Sequence, residues 1–223
     1  MIPDETTTRP ALVIGASGFL GGHVVRALAA RGRDVRVLVR PTSDLGGLQG
    51  IRFETRYGDL ADRDSLRDAA AGCGTVFHCA VDTRMWLTDP APLYQTNVAG
   101  LVNSAEAALD AGVGRFVFTS SIATIGLDRQ RPVTEEDAFN WHDRAPDYVL
   151  SRVAAEERLL HYCRVRGLPG IALCVANTYG PDDRLPTPHG ELLRLAARGR
   201  LPFVLSGGVA CVDVRDAAEA LVL

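Results

Sequence analysis

Residues 11–22 read Ala-Leu-Val-Ile-Gly-Ala-Ser-Gly-Phe-Leu-Gly-Gly and decide the fold. The four apolar residues predict a short buried strand, and a helical pattern begins at about Phe19. Between them, Gly15, Gly18 and Gly21 are spaced three apart. Such glycines permit a tight turn, a close approach of the backbone to phosphate and close packing of the helix on the strand. The stretch predicts a dinucleotide pyrophosphate site, and a simple strand-to-helix turn is the alternative that the glycines alone leave open.

The composition is that of an ordinary globular protein: 223 residues, 47% hydrophobic and 23% charged. The formal net charge of −3 arises from mixed signs without a basic block, which argues against a nucleic-acid partner. Residues 1–10 lack the apolar core of a signal peptide, and no window approaches the roughly 18 apolar residues of a membrane span. We therefore expect a cytoplasmic protein without a nucleic-acid or membrane partner, and a homodimer is left open.

Cysteine and lysine usage restricts the chemistry further. The five widely spaced cysteines are interpreted as reduced core residues, because no C-x-x-C pair or Cys/His cluster indicates a disulfide or a metal site. All 24 basic residues are arginine. The absence of lysine excludes a P-loop and a Schiff-base mechanism.

Strand and helix patterns alternate along the chain. Strands are predicted at 11–14, 35–39, 51–57, 75–80, 115–119 and 171–175, and helices at 19–31, 63–71, 93–111, 148–166 and 192–198. This alternation predicts an α/β fold with one doubly wound parallel sheet, forming a single dinucleotide-binding domain over residues 1–223 with a flexible start at 1–10. In the fourth strand, His78 is interpreted as a hydrogen-bonded core histidine.

The second predicted strand ends in Arg40. Folds of this type that bind NAD carry an acidic residue about 20 residues past the glycines, where it binds the ribose 2′-hydroxyl. An arginine at that position favours a 2′-phosphate, so we expect NADP, with NAD as the alternative cofactor. A solvated arginine at a strand end is the alternative interpretation.

Tyr148 and Arg152 lie four apart at the start of a predicted helix and therefore on one face. A phenol that acts near neutral pH needs its pKa lowered by about three units, or about 4 kcal/mol. A cation about 4 Å away supplies about that much at an effective dielectric near 20, so the charge of Arg152 suffices in principle. Ser121, at the end of the fifth strand, is placed to hydrogen-bond a substrate carbonyl. The alternative is that Arg152 pairs with Glu156 on a solvated face and Tyr148 merely packs.

Seven motifs in order resemble the extended short-chain dehydrogenase/reductases, in the branch of dihydroflavonol-4-reductases, 3β-hydroxysteroid dehydrogenases and hopanoid-associated sugar epimerases. The motifs are Gly15-x-x-Gly18-x-x-Gly21, Gly58-Asp59-Leu60, Phe77-His78-Cys79-Ala80, Asn97-Val98-Ala99-Gly100, Thr119-Ser120-Ser121, Tyr179-Gly180-Pro181 and Asp213-Val214-Arg215-Asp216. The resemblance implies a Rossmann-like fold with catalytic Ser121, Tyr148 and Arg152.

The resemblance also implies the cofactor contacts. The phosphate turn would contribute Gly15, Ser17, Gly18, Phe19, Leu20 and Gly21. Asp59 and Leu60 would contact adenine, Ala80 the nicotinamide ribose, and Asn97 would help hold an active-site water. Tyr148, Arg152 and Arg40 complete the expected cofactor site.

The chain departs from the family pattern at three places. The family has lysine where this chain has Arg152, and many relatives have a proline where this chain reads Cys174-Val175-Ala176. Relatives also continue past the last motif into a substrate lobe, which we expect to be largely absent here.

The leading hypothesis is an NADP(H)-dependent oxidoreductase that interconverts a ketone or aldehyde and an alcohol on a small or hydrophobic substrate. An NAD-dependent sugar-nucleotide epimerase or dehydratase and a non-catalytic dinucleotide-binding sensor are the alternatives.

Overall fold

A computed structural model describes residues 8–184, 186–203 and 206–223. Six parallel strands form the central sheet: β1 (Ala11–Ile14), β2 (Val35–Val39), β3 (Glu54–Tyr57), β4 (Thr75–His78), β5 (Arg115–Ser121) and β6 (Gly170–Val175). Their order across the sheet is β3-β2-β1-β4-β5-β6, and every neighbouring pair is parallel. The strand order reverses between β1 and β4, where folds of this type bind their ligand. This topology confirms the predicted doubly wound, Rossmann-like sheet.

The helices flank the sheet on both faces. They are α1 (Phe19–Ala30), α2 (Arg63–Ala70), α3 (Ala91–Tyr94), α4 (Gly100–Asp110), α5 (Asp147–Arg166), α6 (Pro188–Ala197) and α7 (Val214–Val222), and a π-helical turn at Gln95–Ala99 joins α3 to α4. A second, two-stranded parallel sheet consists of β7 (Asn177–Tyr179) and β8 (Cys211–Asp213). The sequence pattern does not predict this small sheet, because three residues are too few to show a period.

Side chains of each central strand alternate between two cores. Leu12 and Ile14 of β1 point to the core beneath α2, α4 and α5, whereas Ala11 and Val13 point to the core beneath α1 and α7. Because both faces of the sheet are buried, its inner strands are apolar runs. The candidate site therefore lies at the edge of the sheet that the carboxyl ends of these strands form.

Several predicted boundaries change in the structure. The third strand begins at Glu54 instead of residue 51, because the amide of Ile51 donates to the carbonyl of Leu48 and closes a turn. The helix predicted at 93–111 begins at Ala91 and contains the π turn, and the fifth strand continues to Ser121.

The cysteines are unpaired, and four of them are buried or half-buried. Cys211 is exposed, so its assignment to the core was wrong. Of the start that we expected to be flexible, residues 1–7 lie outside the described residues, and the Arg9 guanidinium donates to the carbonyl of Gly72 at 3.2 Å. No helix in the described ranges is both long and apolar enough to cross a bilayer.

Candidate active site

The turn between β1 and α1 forms an open cradle of backbone N–H groups. Gly15 has φ +88°, and a Cβ atom there would lie 2.6 Å from the backbone nitrogen of Ala80. A Cβ atom on Gly21 would lie 2.2 Å from the carbonyl oxygen of Gly15. Gly18 is the N-cap of α1, and none of the side chains that the structure describes caps the helix. The first amides of α1 and its positive dipole end are therefore free to bind an anion.

The other predicted residues of this turn lie around the cradle. Ser17 and Gly18 are exposed, whereas Phe19 and Leu20 are half-buried in the first turn of α1. The ring of Phe19 packs edge-on against His23, with 5.6 Å between the ring centroids. These residues border the cradle because they are adjacent to it in sequence. Their contact with a cofactor stays a prediction.

A second group of predicted residues follows β2 and β3. Asp59 is exposed and accepts a hydrogen bond from the amide of Ala61, whereas Leu60 packs on Gly100, where a Cβ atom would lie 2.9 Å from Leu60 Cδ1. Arg40 is exposed, and its side chain forms no ion pair with a described residue. The arginine expected at the 2′-phosphate therefore has its charge available to a ligand.

Asn97 lies at the centre of a buried hydrogen-bond network. Its Nδ2 donates to the carbonyl of Asp82 at 3.0 Å and to Ser151 Oγ at 2.9 Å, and its Oδ1 accepts from the amide of Asp82 at 2.8 Å. Ser151 Oγ in turn donates to the carbonyl of Tyr148 at 2.7 Å. The network joins the loop after β4 to the first turn of α5 and so fixes Tyr148. Both amide hydrogens of Asn97 are used, and its expected contact with an active-site water stays a prediction.

Sequence reasoning missed Ser151 as a member of this site. It lies three residues after Tyr148, so its hydroxyl reaches back to the preceding turn of the helix. The spacing Tyr-x-x-Ser at the start of a helix is the signal that would have indicated it.

Arg152 is buried, with only 2% of its surface exposed. Its Nη2 donates to the carbonyl of Thr119 on β5, and its guanidinium carbon lies 4.7 Å from the centroid of the Phe118 ring. Glu156 instead accepts hydrogen bonds from Ser120 Oγ and Thr124 Oγ1. The alternative in which Arg152 pairs with Glu156 on a solvated face is therefore wrong.

The second terminal nitrogen of Arg152, Nη1, is buried and has no partner among the residues that the structure describes. A buried N–H group of a cation without an acceptor is costly, so this atom marks a place for a ligand oxygen. Together with the uncapped cradle at Gly15, Gly18 and Gly21, it shows that the residues present fit a bound dinucleotide.

The pKa values of this cluster reflect burial. Burial raises the pKa of the Tyr148 phenol, and the nearby Arg152 guanidinium opposes that rise without cancelling it. Burial also lowers the pKa of Arg152. The charge of Arg152 therefore does not overcome desolvation of the Tyr148 phenol, contrary to the expectation that its charge suffices to lower this pKa. Tyr148 is protonated at neutral pH and holds a proton that it can donate.

His78 lies in the core as expected, but the expected hydrogen bond is absent among the described residues. Neither ring nitrogen has a partner within the described part of the chain, and the ring lies between Phe116 and Phe118, at centroid distances of 6.2 and 5.9 Å. Burial, helped by the charge of Arg152, lowers its pKa to about 3. His78 is thus a neutral aromatic member of the core.

Ser121 ends β5 and begins the short 3₁₀ turn at Ile122–Thr124. Its Oγ accepts a hydrogen bond from the amide of Ala123 at 3.2 Å, which leaves its own hydrogen free to donate. The Ser121 hydroxyl can therefore donate a hydrogen bond at this edge of the sheet.

Comparison with known proteins gives three kinds of match. The family model described as NAD dependent epimerase/dehydratase family matches residues 11–223. Sterol demethylase protein B of Methylococcus capsulatus is 35% identical over 205 residues, which cover 92% of this chain and 62% of that protein. Dihydroflavonol 4-reductase of Zea mays is 33% identical over 203 residues, which cover 83% of this chain and 57% of that protein.

Two solved structures share the fold closely. The crystal structure of gox2253 superposes with a TM-score of 0.90 at 38% identity, over 95% of this chain and 64% of that chain. UDP-glucose 4-epimerase of Thermus thermophilus in complex with NAD superposes with a TM-score of 0.78 at 26% identity, over 95% of this chain and 72% of that chain. The chain spans about three fifths of the length of the curated relatives it matches.

Proposed function

Because the chain belongs to the NAD-dependent epimerase/dehydratase family, we propose that it is an NADP(H)-dependent oxidoreductase that interconverts a ketone or aldehyde and an alcohol on a small or hydrophobic substrate. One contact carries the proposal. Arg152 donates to the carbonyl of Thr119, two residues before Ser121, and so ties the second turn of α5 to the carboxyl end of β5. This contact supports a position for Tyr148, one turn earlier on α5, at the same end of the sheet as Ser121.

The proposed roles follow from the state of each side chain. The bound reduced nicotinamide supplies a hydride to the carbonyl carbon. Ser121 Oγ donates a hydrogen bond to the carbonyl oxygen and stabilises its developing charge. Tyr148, which burial keeps protonated, donates its phenolic proton to that oxygen. Arg152 Nη1 would donate to the cofactor, and the first amides of α1, from Phe19 to Gly21, would bind the pyrophosphate.

Two features support reduction with NADPH. The maize relative is named as a reductase, which is the reaction direction that a protonated Tyr148 serves. The exposed guanidinium of Arg40 follows β2, where this type of fold binds the 2′ substituent of the adenine ribose. We therefore expect tighter binding of NADPH than of NADH.

Labelled cofactor tests the proposed reaction. The chain is incubated with NADPH deuterated at the transferable position and with a panel of aliphatic, cyclic and aromatic ketones and aldehydes. The proposal expects an alcohol product that carries one deuterium on the former carbonyl carbon. A panel that yields no deuterated alcohol, from protein shown to bind NADPH, contradicts it.

A sugar-nucleotide epimerase or dehydratase is the second candidate, because the Thermus structure holds NAD and is named as a UDP-glucose 4-epimerase. Such an enzyme retains and recycles its NAD, so nucleotide released from denatured protein would be stoichiometric NAD, and NADPH would not be consumed. Exchangeable binding of a dinucleotide without turnover of any carbonyl compound would instead favour a sensor.

A further inference from the structure

A short segment after β7, Gly180–Arg184, crosses the surface of α1; we name it the crossing segment. The carbonyl of Pro181 hydrogen-bonds to His23 Nε2 of α1 at 3.1 Å. Asp182, whose φ of +65° is unusual for a side chain other than glycine, pairs with Arg26 of α1 at 3.0 Å. Two contacts to one helix therefore hold the crossing segment in a defined path.

The last residue of the crossing segment, Arg184, packs against the loop that follows β2. Arg184 Nη2 lies 3.9 Å from Asp44 Oδ2 and only 2.9 Å from the position that a Cβ atom on Gly46 would occupy. The Cδ atom of Arg184 lies 3.6 Å from the corresponding position on Gly47. Arg184 therefore fits this loop closely because Gly46 has no side chain.

The guanidinium of Arg184 is available to a ligand. Its side chain is 53% exposed, and it donates no hydrogen bond to any residue in the described ranges. Its contact with Asp44 is a long ion pair without a hydrogen bond, so little energy is lost when the guanidinium turns to another anion. The guanidinium is rigid and planar, and several of its N–H donors are then free. Their geometry matches that of phosphate oxygens.

The loop after β2 carries charges of both signs. The turn at 40–43 is closed by the amide of Ser43, which donates to the carbonyl of Arg40, and Asp44 follows directly. Arg40 and Asp44 carry opposite charges, so Asp44 offsets part of the attraction that Arg40 offers a phosphate. Arg184 adds one cation beside this loop, whereas Asp182 of the crossing segment is paired with Arg26 and Asp183 accepts from the amide and hydroxyl of Thr187.

We propose that Arg184 is the second cation of the 2′-phosphate site, so that the crossing segment, and not only the loop after β2, selects NADP over NAD. This inference rests on the NADPH preference proposed above. The ligand group is a phosphate monoester on a ribose, and 2′,5′-ADP is its smallest probe.

Binding titrations test the proposal without any turnover. Dissociation constants are measured by calorimetry for 2′,5′-ADP, 5′-AMP, NADPH and NADH with the wild type, Arg184→Gln and Arg40→Ala. We expect Arg184→Gln to weaken 2′,5′-ADP and NADPH about tenfold, the effect of one hydrogen-bonded ion contact, and to change 5′-AMP and NADH less than about twofold. Arg164→Gln is the matched control, because Arg164 is an exposed arginine on α5 that forms no ion pair with a described residue.

Substitutions of Gly46 and Gly47 test the contact of Arg184 with the loop after β2. Gly46→Ala would displace the guanidinium and should reproduce the loss in Arg184→Gln, whereas Gly47→Ala meets Arg184 only at ordinary contact distance and should bind NADPH like the wild type. If Arg40→Ala weakens NADPH but Arg184→Gln and Gly46→Ala do not, the inference is overturned and the NADPH preference stands. If the wild type binds NADPH no more tightly than NADH, both are overturned.

Discussion

Arg152 combines burial, charge and a terminal nitrogen, Nη1, for which no described residue supplies an acceptor. We expect Arg152→Ala to weaken NADPH about tenfold, because it removes a charged donor that the structure leaves for a ligand. Arg152→Lys keeps the cation and should bind NADPH within about threefold of the wild type. Fluorescence titration of NADPH measures both, with Arg158→Ala as the control, an exposed arginine of the same helix. Equal affinity in Arg152→Ala and the wild type would show that Nη1 does not contact the cofactor.

The neutral His78 makes stability depend on pH. Its pKa falls from 6.5 to about 3 on folding, so between these values the unfolded chain binds more protons than the folded one. Stability contributed by this group is complete above pH 6.5 and is lost as pH falls. Between pH 7 and pH 5 the loss amounts to about 2 kcal/mol.

Urea unfolding at pH 7 and pH 5 measures this effect. His78→Phe fills the same aromatic site without a titrating group, so its free energy of unfolding should fall by about 2 kcal/mol less than that of the wild type over this interval. His161→Gln, on the exposed surface of α5, should retain the dependence of the wild type. A wild type and a His78→Phe variant with the same pH dependence would mean that His78 is hydrogen-bonded when folded.

At the scale of the strand–turn–helix element, Gly18 and Gly21 have separable roles. Gly21→Ala places a Cβ atom 2.2 Å from the backbone oxygen of Gly15 and should cost at least about 2 kcal/mol of stability. Gly18→Ala meets that oxygen at 3.2 Å, so we expect a cost below about 1 kcal/mol but a loss of NADPH affinity of at least about tenfold, since the methyl group enters the cradle.

Gly22→Ala is the control for this series, because its new Cβ atom has no neighbour closer than 3.5 Å. The higher helix propensity of alanine should leave it as stable as the wild type or slightly more stable, with unchanged NADPH binding. Thermal unfolding and NADPH titration of the three variants separate the two roles. If Gly18→Ala binds NADPH as tightly as the wild type, the pyrophosphate does not bind at this turn.

Elements with a long periodic pattern could be predicted from the sequence, and the positions of side chains could not. The strand at Val35–Val39 has the predicted limits because both of its faces are buried and its ends are polar. β7, β8 and the crossing segment were missed, since their positions depend on contacts distant in sequence, such as that of Pro181 with His23. Helical spacing places Arg152 and Glu156 one turn apart on α5. Only the packing of α5 on β5 shows that Arg152 is the buried one of the two.

For the molecule as a whole, cofactor binding is coupled to stability. A ligand that binds only the folded chain adds about 2.7 kcal/mol at one hundred times its dissociation constant. NADPH at that excess should therefore raise the melting temperature by about 5 to 10 °C for a chain of this size. Differential scanning fluorimetry measures the shift, and Gly18→Ala at the same NADPH concentration should show little of it. A shift of equal size in Gly18→Ala would place the cofactor elsewhere.

The most direct test of NADPH-dependent carbonyl reduction at this site is the rate of NADPH oxidation with a reactive carbonyl compound, compared between the wild type and Tyr148→Phe. The phenol supplies the proton for the product alcohol, so Tyr148→Phe should slow NADPH oxidation by at least about 100-fold. Its dissociation constant for NADPH should change less than about twofold, because Asn97 and Ser151 fix the backbone of this turn. Equal rates of NADPH oxidation in the two proteins would contradict the proposed role of Tyr148. They would also contradict the proposal that the chain reduces carbonyl compounds at this site.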